Sequence, residues 1–496
     1  MAKLSVIEQV RTMRWNFWVA NLIEAQERLA FFGVRAILPL YMMWDHSGGL
    51  GLSYSEKGLI YMIWALLQTL VPMVSGGYTD AYGYKKSMYL AFVLNLAGYT
   101  LMANASGFWS MLAAAMFVGT GTAIFKPPVQ GAVVRSLDEH NSALGFGLFY
   151  WMVNIGGFFA PMAASSLRGN EAAPTWSLVF YGAAIVTALN FIPAIFLFRE
   201  PPLDRAAAAK GPVEVLKSTL RVLWEDKAML RFLLVVSGFW FMFMQLWDLL
   251  PNFIDEWVDA RSLGALLSGL PLPSGWAASV LDANGAVKPE MLINIDSFAI
   301  ILFVLPLSWL SGRFKMMTVL VVGMGVALLG FVGSGLFMSG VAVAVMIFVF
   351  AIGEILCSPK FSEYIGMTAP ADKKALYMGY SNIPFAIGWA AGNGISGPLY
   401  EALASKEVLA RRWLMDQGGM TADAVAAVEQ LPELMNLVAA RVGGGADVFQ
   451  ANAVLWDAYQ PWRIWLLLGL VGLASVVGMW INDRLSRSAR PDGATE

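Results

Sequence analysis

EAQERLAFFGVRAILPLYM, residues 24–42, places four charged side chains inside a long apolar run. At about 100° per residue, Glu24, Glu27, Arg28 and Arg35 fall on one narrow helical face. Glu24 and Arg28 stand one turn apart with the acid first, the favourable order for an ion pair. A charge at mid-membrane costs at least about 2.5 kcal/mol unless it is paired or hydrated. The face therefore looks into a polar cavity or at opposing charges, not at lipid. A structural ion-pair network is the plainer reading, but four charges in one span are expensive for packing alone.

The rest of the chain explains why these charges stand out. Of 496 residues, 58% are hydrophobic and only 14% charged. A soluble protein of this size carries about a quarter charged residues. Apolar runs of about twenty residues recur from residue 16 to residue 482, each long enough to cross a hydrocarbon layer roughly 30 Å thick. Backbone polar groups in lipid must be satisfied within each segment, so continuous runs of this kind are helices. A β-barrel needs short alternating segments instead. The net charge of −2 gives no footprint for nucleic acid. Cys357 is the only cysteine, so no intramolecular disulfide forms, and His46 and His140 lie outside the runs. No metal cluster, phosphate loop or serine-hydrolase elbow is present, so an enzyme is not expected.

Twelve spans are expected, at about 17–43, 55–76, 86–105, 109–134, 142–166, 175–197, 232–253, 292–310, 316–337, 340–359, 375–397 and 463–482. Alternate loops hold Lys85, Lys86, Arg135, Arg199, Arg205, Lys210, Lys217, Arg221, Lys227, Arg313, Lys315, Lys373, Lys374, Arg484, Arg487 and Arg490. The positive-inside rule puts these loops and both termini in the cytoplasm. The amino-terminal run is too long and too charged for a signal peptide and reads as a retained first membrane helix. The expected organisation is an all-α membrane protein. Residues 1–197 form one six-helix bundle and 232–482 a second. Segment 198–231 is a cytoplasmic linker with an amphipathic helix, and 483–496 is a cytoplasmic tail. Residues 254–291 and 398–461 are outer insertions. The first is rich in Gly, Pro and Ser and reads as irregular; the second carries a short helix starting at Thr421. Six plus six spans suggests internal symmetry.

Other polar groups interrupt the apolar runs. Lys126 lies in GTGTAIFKPPVQG and Glu354 in AIGEILCSPKFSEY. Together they suggest a cavity with unlike charge on its two sides, where a cation receives a carboxylate and Glu354 an ammonium. Glutamates moved between apolar surroundings and a nearby cation change proton affinity, so Glu24 and Glu27 are candidate proton carriers. Gln68 and Gln245 are either helix-to-helix hydrogen bonders or cavity lining. Tyr41 and Tyr150 are either cavity lining or packing aromatics. Asn154 lies beside small residues that permit close packing.

The run from Glu24 to Tyr41 resembles the signature of the proton-dependent oligopeptide transporters, a branch of the major facilitator superfamily. Glu24, Glu27, Arg28, Arg35 and Tyr41 fall in register with it. Three further stretches are similar to the family: GTGTAIFKPPV with Lys126, LGFGLFYWMVNIGGFFAP with Asn154 and Gly156, and the GE and SP around Glu354. Gly76, Asp80, Gly83, Lys85 and Lys86 match the general superfamily loop. The resemblance implies two six-helix bundles that alternate access by rocking. It implies that Arg35 and Lys126 face a peptide carboxylate, and that Glu354 faces the amino group with Asn154, Tyr41, Tyr150 and Gln245 nearby. Glu24, Glu27, Arg28 and Lys126 correspond to a proton-coupling network.

The chain also departs from that pattern. Where the family has a seventh-span glutamate paired with the cation at the Arg35 position, this chain has Met244. Asp248 and Asp296 are the candidate substitutes at the outer gate. Phe31 and Phe32 stand where the family often has tyrosine. The 198–231 linker is too short for the two extra helices of many bacterial members. The expected function is proton-coupled import of di- or tripeptides or peptide-like zwitterions, with protons as coupling ion and no other cofactor. The alternative is a transporter of an organic anion, modified peptide or drug, even an exporter; a membrane receptor or assembly protein is the remaining one. The expected setting is a multi-pass monomer in a lipid bilayer, the bacterial inner membrane, with no nucleic-acid partner.

Overall fold

The structure, a computed structural model, describes residues 6–138, 140–169, 173–201, 221–271, 276–370, 377 and 379–488. Arg205, Lys210 and Lys217 with most of the linker, Lys373, Lys374, the Asp80 side chain and the end of the tail lie outside the described residues. The principal helices are α1 (Trp15–Met43), α2 (Tyr54–Tyr82), α3 (Tyr84–Ala103), α4 (Phe108–Arg135), α5 (Ser142–Arg168) and α6 (Trp176–Leu189). After the linker come α7 (Lys227–Phe243), α8 (Ile295–Ser311), α9 (Met316–Gly335), α10 (Gly340–Thr368), α11 (Asn382–Leu403) and α12 (Arg463–Ser488). Among the described residues, eight helical stretches are long and apolar enough to cross a membrane. They involve α4 to α10 and α12. Helices α1, α2, α3 and α11 have 29, 29, 20 and 22 residues and carry more polar side chains. The protein is an all-α, multi-span membrane protein.

Helices α1–α6 pack among themselves, as do α7–α12, and the two sets meet chiefly along α2 with α11 and α5 with α8. The ends that carry Lys85, Lys86, Arg135, Arg313 and Lys315 are the inner ends by the positive-inside rule. At the outer end, a Cβ on Gly58 would lie 2.5 Å from the Asn393 carbonyl, and one on Gly397 2.4 Å from that of Tyr54. Only glycine lets α2 and α11 cross backbone to backbone here. Within the first set, a Cβ on Gly156 would lie 3.0 Å from the Ala25 carbonyl and from Arg28 Cβ, so glycine brings α5 against the charged face of α1.

The helix ends have local causes. Ser53 and Glu56 form a reciprocal capping box at the start of α2. At the turn between α2 and α3, Gly83 adopts φ +114°, a conformation that suits glycine. The Glu200 carboxylate accepts from the Tyr84 and Lys85 backbone N–H groups at 2.6 and 3.0 Å. An acid there satisfies free N–H groups at the start of α3.

Several elements differ from the sequence expectation. The seventh span is not continuous: α7 stops at Phe243, followed by short helices Gln245–Asp248 and Leu250–Trp257. Pro251 has no N–H for the ladder, so the break lies just ahead of it. Helix α10 instead runs through Pro359 to Thr368, since packed neighbours stabilise proline within such helices. The 254–291 insertion is partly helical, with Arg261–Ser268, Trp276–Val280 and Pro289–Ile293.

The 398–461 insertion holds four short helices: Lys406–Asp416, Ala422–Ala426, Leu431–Val442 and Val448–Tyr459. Thr421 caps the second, accepting from Ala424 N–H at 3.4 Å. The stretch expected as one helix splits because Pro432 suits a helix start. Leu409, Trp413, Leu434, Val438 and Leu455 bury their side chains in it, and Arg411 donates to the Val425 and Val428 carbonyls at 2.8 Å. This cap touches the first set through Asp45, which accepts from Leu431 N–H at 3.0 Å. Burial alone would raise the Asp45 carboxyl, but bonds from His46 and Leu431 outweigh it and hold it below the usual carboxylate range. That contribution is present above the ordinary carboxylate pKa and is lost as pH falls through the lowered one. Asp45→Ala is expected to cost on the order of 1 kcal/mol of local stability. Hydrogen exchange at Leu431–Val442 should then quicken several-fold, and acidification should do the same in the unaltered protein alone.

Candidate functional site

The four charges of α1 divide into two clusters. In the inner one, Arg28 Nε lies 3.1 Å from Glu24 Oε1, and the Arg28 guanidinium also pairs with Glu27. All three are buried. The Arg28 guanidinium sits over the Phe31 ring at 5.0 Å and Phe32 at 5.6 Å, so the aromatic pair screens the cluster by cation–π contact. Lys126 of α4 acts electrostatically on both glutamates and on Arg28. It is only half-buried, which leaves its ammonium within reach of the interior. The structure thus brings together Glu24, Glu27, Arg28 and Lys126.

Arg35, two turns further out, belongs to a different cluster. Its guanidinium pairs with Asp248 across the two sets, the side chains being 5% and 0% exposed. Asp248 Oδ2 also accepts from Trp389 Nε1 at 2.6 Å and Asn393 Nδ2 at 2.7 Å. Lys57 Nζ donates to the Asp248 backbone carbonyl at 3.0 Å and to Asn252 Oδ1 at 2.5 Å. The break after α7 frees that carbonyl and turns Asp248 toward α1. Arg35 also stacks over Tyr61 at 4.4 Å.

More bonds close the outer ends around this core. Asp255 accepts from Trp44 Nε1 at 2.8 Å, Glu256 from Tyr54 at 2.7 Å, and Glu401 from Ser55 N–H at 3.1 Å. Arg168 and Glu290 form a 2.9 Å ion pair with both side chains fully buried. Lys288 donates to Ser165 at 2.9 Å. In each of the four acid pairs the second set supplies the carboxylate and the first set the donor. Burial raises the Glu256 carboxyl to about 7, against the opposing pull of Tyr54 and Lys406. Lys57, Arg168, Glu290 and Glu200 were not singled out from sequence. Their partners lie far along the chain, so no local spacing marks them.

Asp296 is elsewhere: it is buried at the start of α8, which packs on α10, the helix of Glu354. Tyr150 and Asn154 of α5 lie on this side, with Asn154 Nδ2 bonded to the Tyr150 carbonyl at 2.8 Å. Tyr150 is 38% exposed, while Asn154 and Glu354 are half-buried. Polar groups this far inside their helices require water or a ligand beside them rather than lipid. Tyr41 is apart from them, packed on Trp176 and Phe180. Gln245 is fully buried and donates back to the Phe241 carbonyl at 3.3 Å. Met244 packs against the cores of both sets. Among the loop residues, Gly83 makes the turn and Lys85 Nζ donates to the Ile195 carbonyl at 3.0 Å; Gly76 and Asp80 lie along α2, and Lys86 starts α3.

Removing one partner of a buried ion pair strands the other, at roughly 3–5 kcal/mol. Asp248→Asn should therefore favour separation of the outer ends. Spin labels at Ser106→Cys and Leu266→Cys, in a Cys357→Ser background, should report a longer outer distance in the variant.

Several known proteins are similar. The multidrug resistance protein MdtH of Klebsiella pneumoniae subsp. pneumoniae is 23% identical over 414 residues, covering 83% of this chain and 92% of that one. A crystal structure of a POT family transporter in complex with 5-aminolevulinic acid superposes with a TM-score of 0.66 at 17% identity, over 95% of this chain and 96% of that one. The nucleoside transporter NupG gives 0.67 at 12% identity, over 94% and 99%. These likenesses establish a fold related to the peptide-transporter branch. The profile of the Major Facilitator Superfamily matches residues 27–393, and the chain belongs to that superfamily.

Proposed function

We propose that the chain is a proton-coupled symporter that imports di- or tripeptides or peptide-like zwitterions by alternating access. The architecture in this reading is twelve spans in two six-helix bundles, residues 1–197 and 232–482, joined by the 198–231 linker. The observation that carries it is the charge arrangement of the interior. Half-buried Lys126 stands beside the Glu24–Glu27–Arg28 cluster on the first bundle. Half-buried Glu354 stands on the second bundle, near Tyr150 of α5. A cation on one wall and an acid on the other fit the two ends of a zwitterion.

The conformation suits the inward-facing half of such a cycle. The outer ends are closed by Arg35–Asp248 and Arg168–Glu290. Among the described residues no substantial packing joins α4 to α10 or α11. Arg35 is engaged by Asp248 here, so Lys126 is the carboxylate receptor in this state and Arg35 a member of the gate. Glu24 and Glu27 carry the coupling proton, released when Arg28 holds both as carboxylates. Proton flow down its gradient then drives solute accumulation by mass action.

A second reading is export of a drug or other organic solute. The relative named for multidrug resistance favours it, as does the absence of the family's glutamate at Met244. Uptake by purified protein in liposomes, under an inward proton gradient, separates the two. Labelled dialanine should accumulate above equilibrium. Glu24→Gln and Glu354→Gln should each reduce that accumulation at least tenfold. No accumulation by folded protein would sink the peptide reading, and gradient-driven movement of a drug in the opposite sense would establish the second.

A further inference from the structure

A cavity of about 500 Å³ lies between the cap and the outer ends of the second set. Its lining includes Asp255, Glu256, Ser262, Lys406, Phe449 and Asn452. That volume suits a small solute. None of the residues lining it belongs to the interior clusters around Lys126 and Glu354.

Lys406 is the unusual group in this cavity. It opens the helix Lys406–Asp416 and is 9% exposed. Its backbone N–H donates to Glu256 at 3.2 Å, and its Nζ lies 5.3 Å from the centre of the Trp257 ring. Among the described residues, no group accepts a hydrogen bond from that ammonium. A lysine buried to this degree normally has a partner. Three unused donors at the positive end of a helix make this wall a receptor for a carboxylate. Asn452, 8% exposed, is also incompletely bonded, with no partner for Oδ1.

The neighbouring acids decide what else the solute must carry. Asp255 and Glu256 act electrostatically on Lys406, which disfavours a simple anion beside it. Glu256 has both oxygens engaged, by Tyr54 at 2.7 Å and by Tyr400 at 2.9 Å. Asp259 is held at both oxygens by Arg261, at 2.9 and 2.7 Å. Asp255 differs: it is exposed, and among the described residues its one hydrogen bond comes from Trp44 Nε1. An ammonium group therefore finds a free acceptor there.

We infer that this cavity binds a small zwitterion from the outer water, an amino acid or short peptide, with its carboxylate on Lys406 and its ammonium on Asp255. The inference goes beyond the reading above and does not depend on it, since the cavity can fill whether or not its occupant is carried across. Asp255 and Glu256 also hold Trp44 and Tyr54 of the first set. An occupant thus touches the outer closure from its water side.

Hydrogen exchange of the full chain in lipid nanodiscs tests this, with dialanine at millimolar concentration as the probe. Exchange within Lys406–Asp416 and Val448–Tyr459 should slow several-fold when dialanine is added. The slowing should persist in Glu354→Gln, which disables the interior acid of the reading above. It should survive in Lys406→Arg and vanish in Lys406→Gln and in Ser262→Trp. Ser262 is exposed, so Ser262→Trp fills the cavity without entering the core and decides the matter if Lys406→Gln loosens the cap by itself. Propionate, which lacks the amine, and ethylammonium, which lacks the carboxylate, should leave exchange unchanged. Absence of slowing in the wild type overturns the site, as does slowing that Ser262→Trp leaves intact. Propionate that protects as well as dialanine overturns the zwitterion assignment. Slowing by dialanine without any uptake of it leaves this site standing and sinks the import reading alone.

Discussion

The Arg35 guanidinium lies almost wholly out of water, and its charge is met by Asp248 from the opposite set of helices. An unpaired guanidinium there would cost several kcal/mol, so the surroundings are arranged around this contact. Asp248 reaches α1 because the seventh span breaks beside it. Its second oxygen is held by Trp389 and Asn393, and its backbone carbonyl by Lys57. Tyr54 from the first set packs into the second set's core, and Trp389 packs into the first set's. The outer closure is therefore polar at its centre and aromatic around it.

The same economy of charge holds at the acids of α1. Arg28 is close to Glu24 and Glu27, so their carboxylates can stay ionised in an apolar setting, and their proton affinity depends on how tightly that cation is held.

How much of this was legible depends on distance along the chain. Glu24, Glu27, Arg28 and Arg35 could be read because they share one helix and one face. Asp248 could be named because Met244 left a cation without its expected acid. Its choice over Asp296 could not be made, since it depends on a helix break that turns one acid toward α1, while the other stays at the start of α8. Lys57 looks in sequence like a charge at a helix end in water. In the fold it is buried, with the Asp248 carbonyl and Asn252 beyond the end of α7 accepting from it. Arg168 and Glu290 are 122 positions apart, in loops that read as outer surface, and closure of the two sets buries them completely. The split at Pro432 had a local signal, proline at a helix start, outweighed by the long apolar and acidic pattern around it.

The crossing of α2 and α11 at Gly58 and Gly397 has a further consequence. Two backbones in contact there have no interlocking side chains to withdraw and leave little apolar area to wet when they part. The resistance to parting at that point resides in the charged and hydrogen-bonded groups nearby, whose strength varies with pH, ionic strength and bound solute. Such a hinge is stiff or loose according to chemistry rather than shape, and a bulkier residue at either glycine would convert it into a mechanical lock.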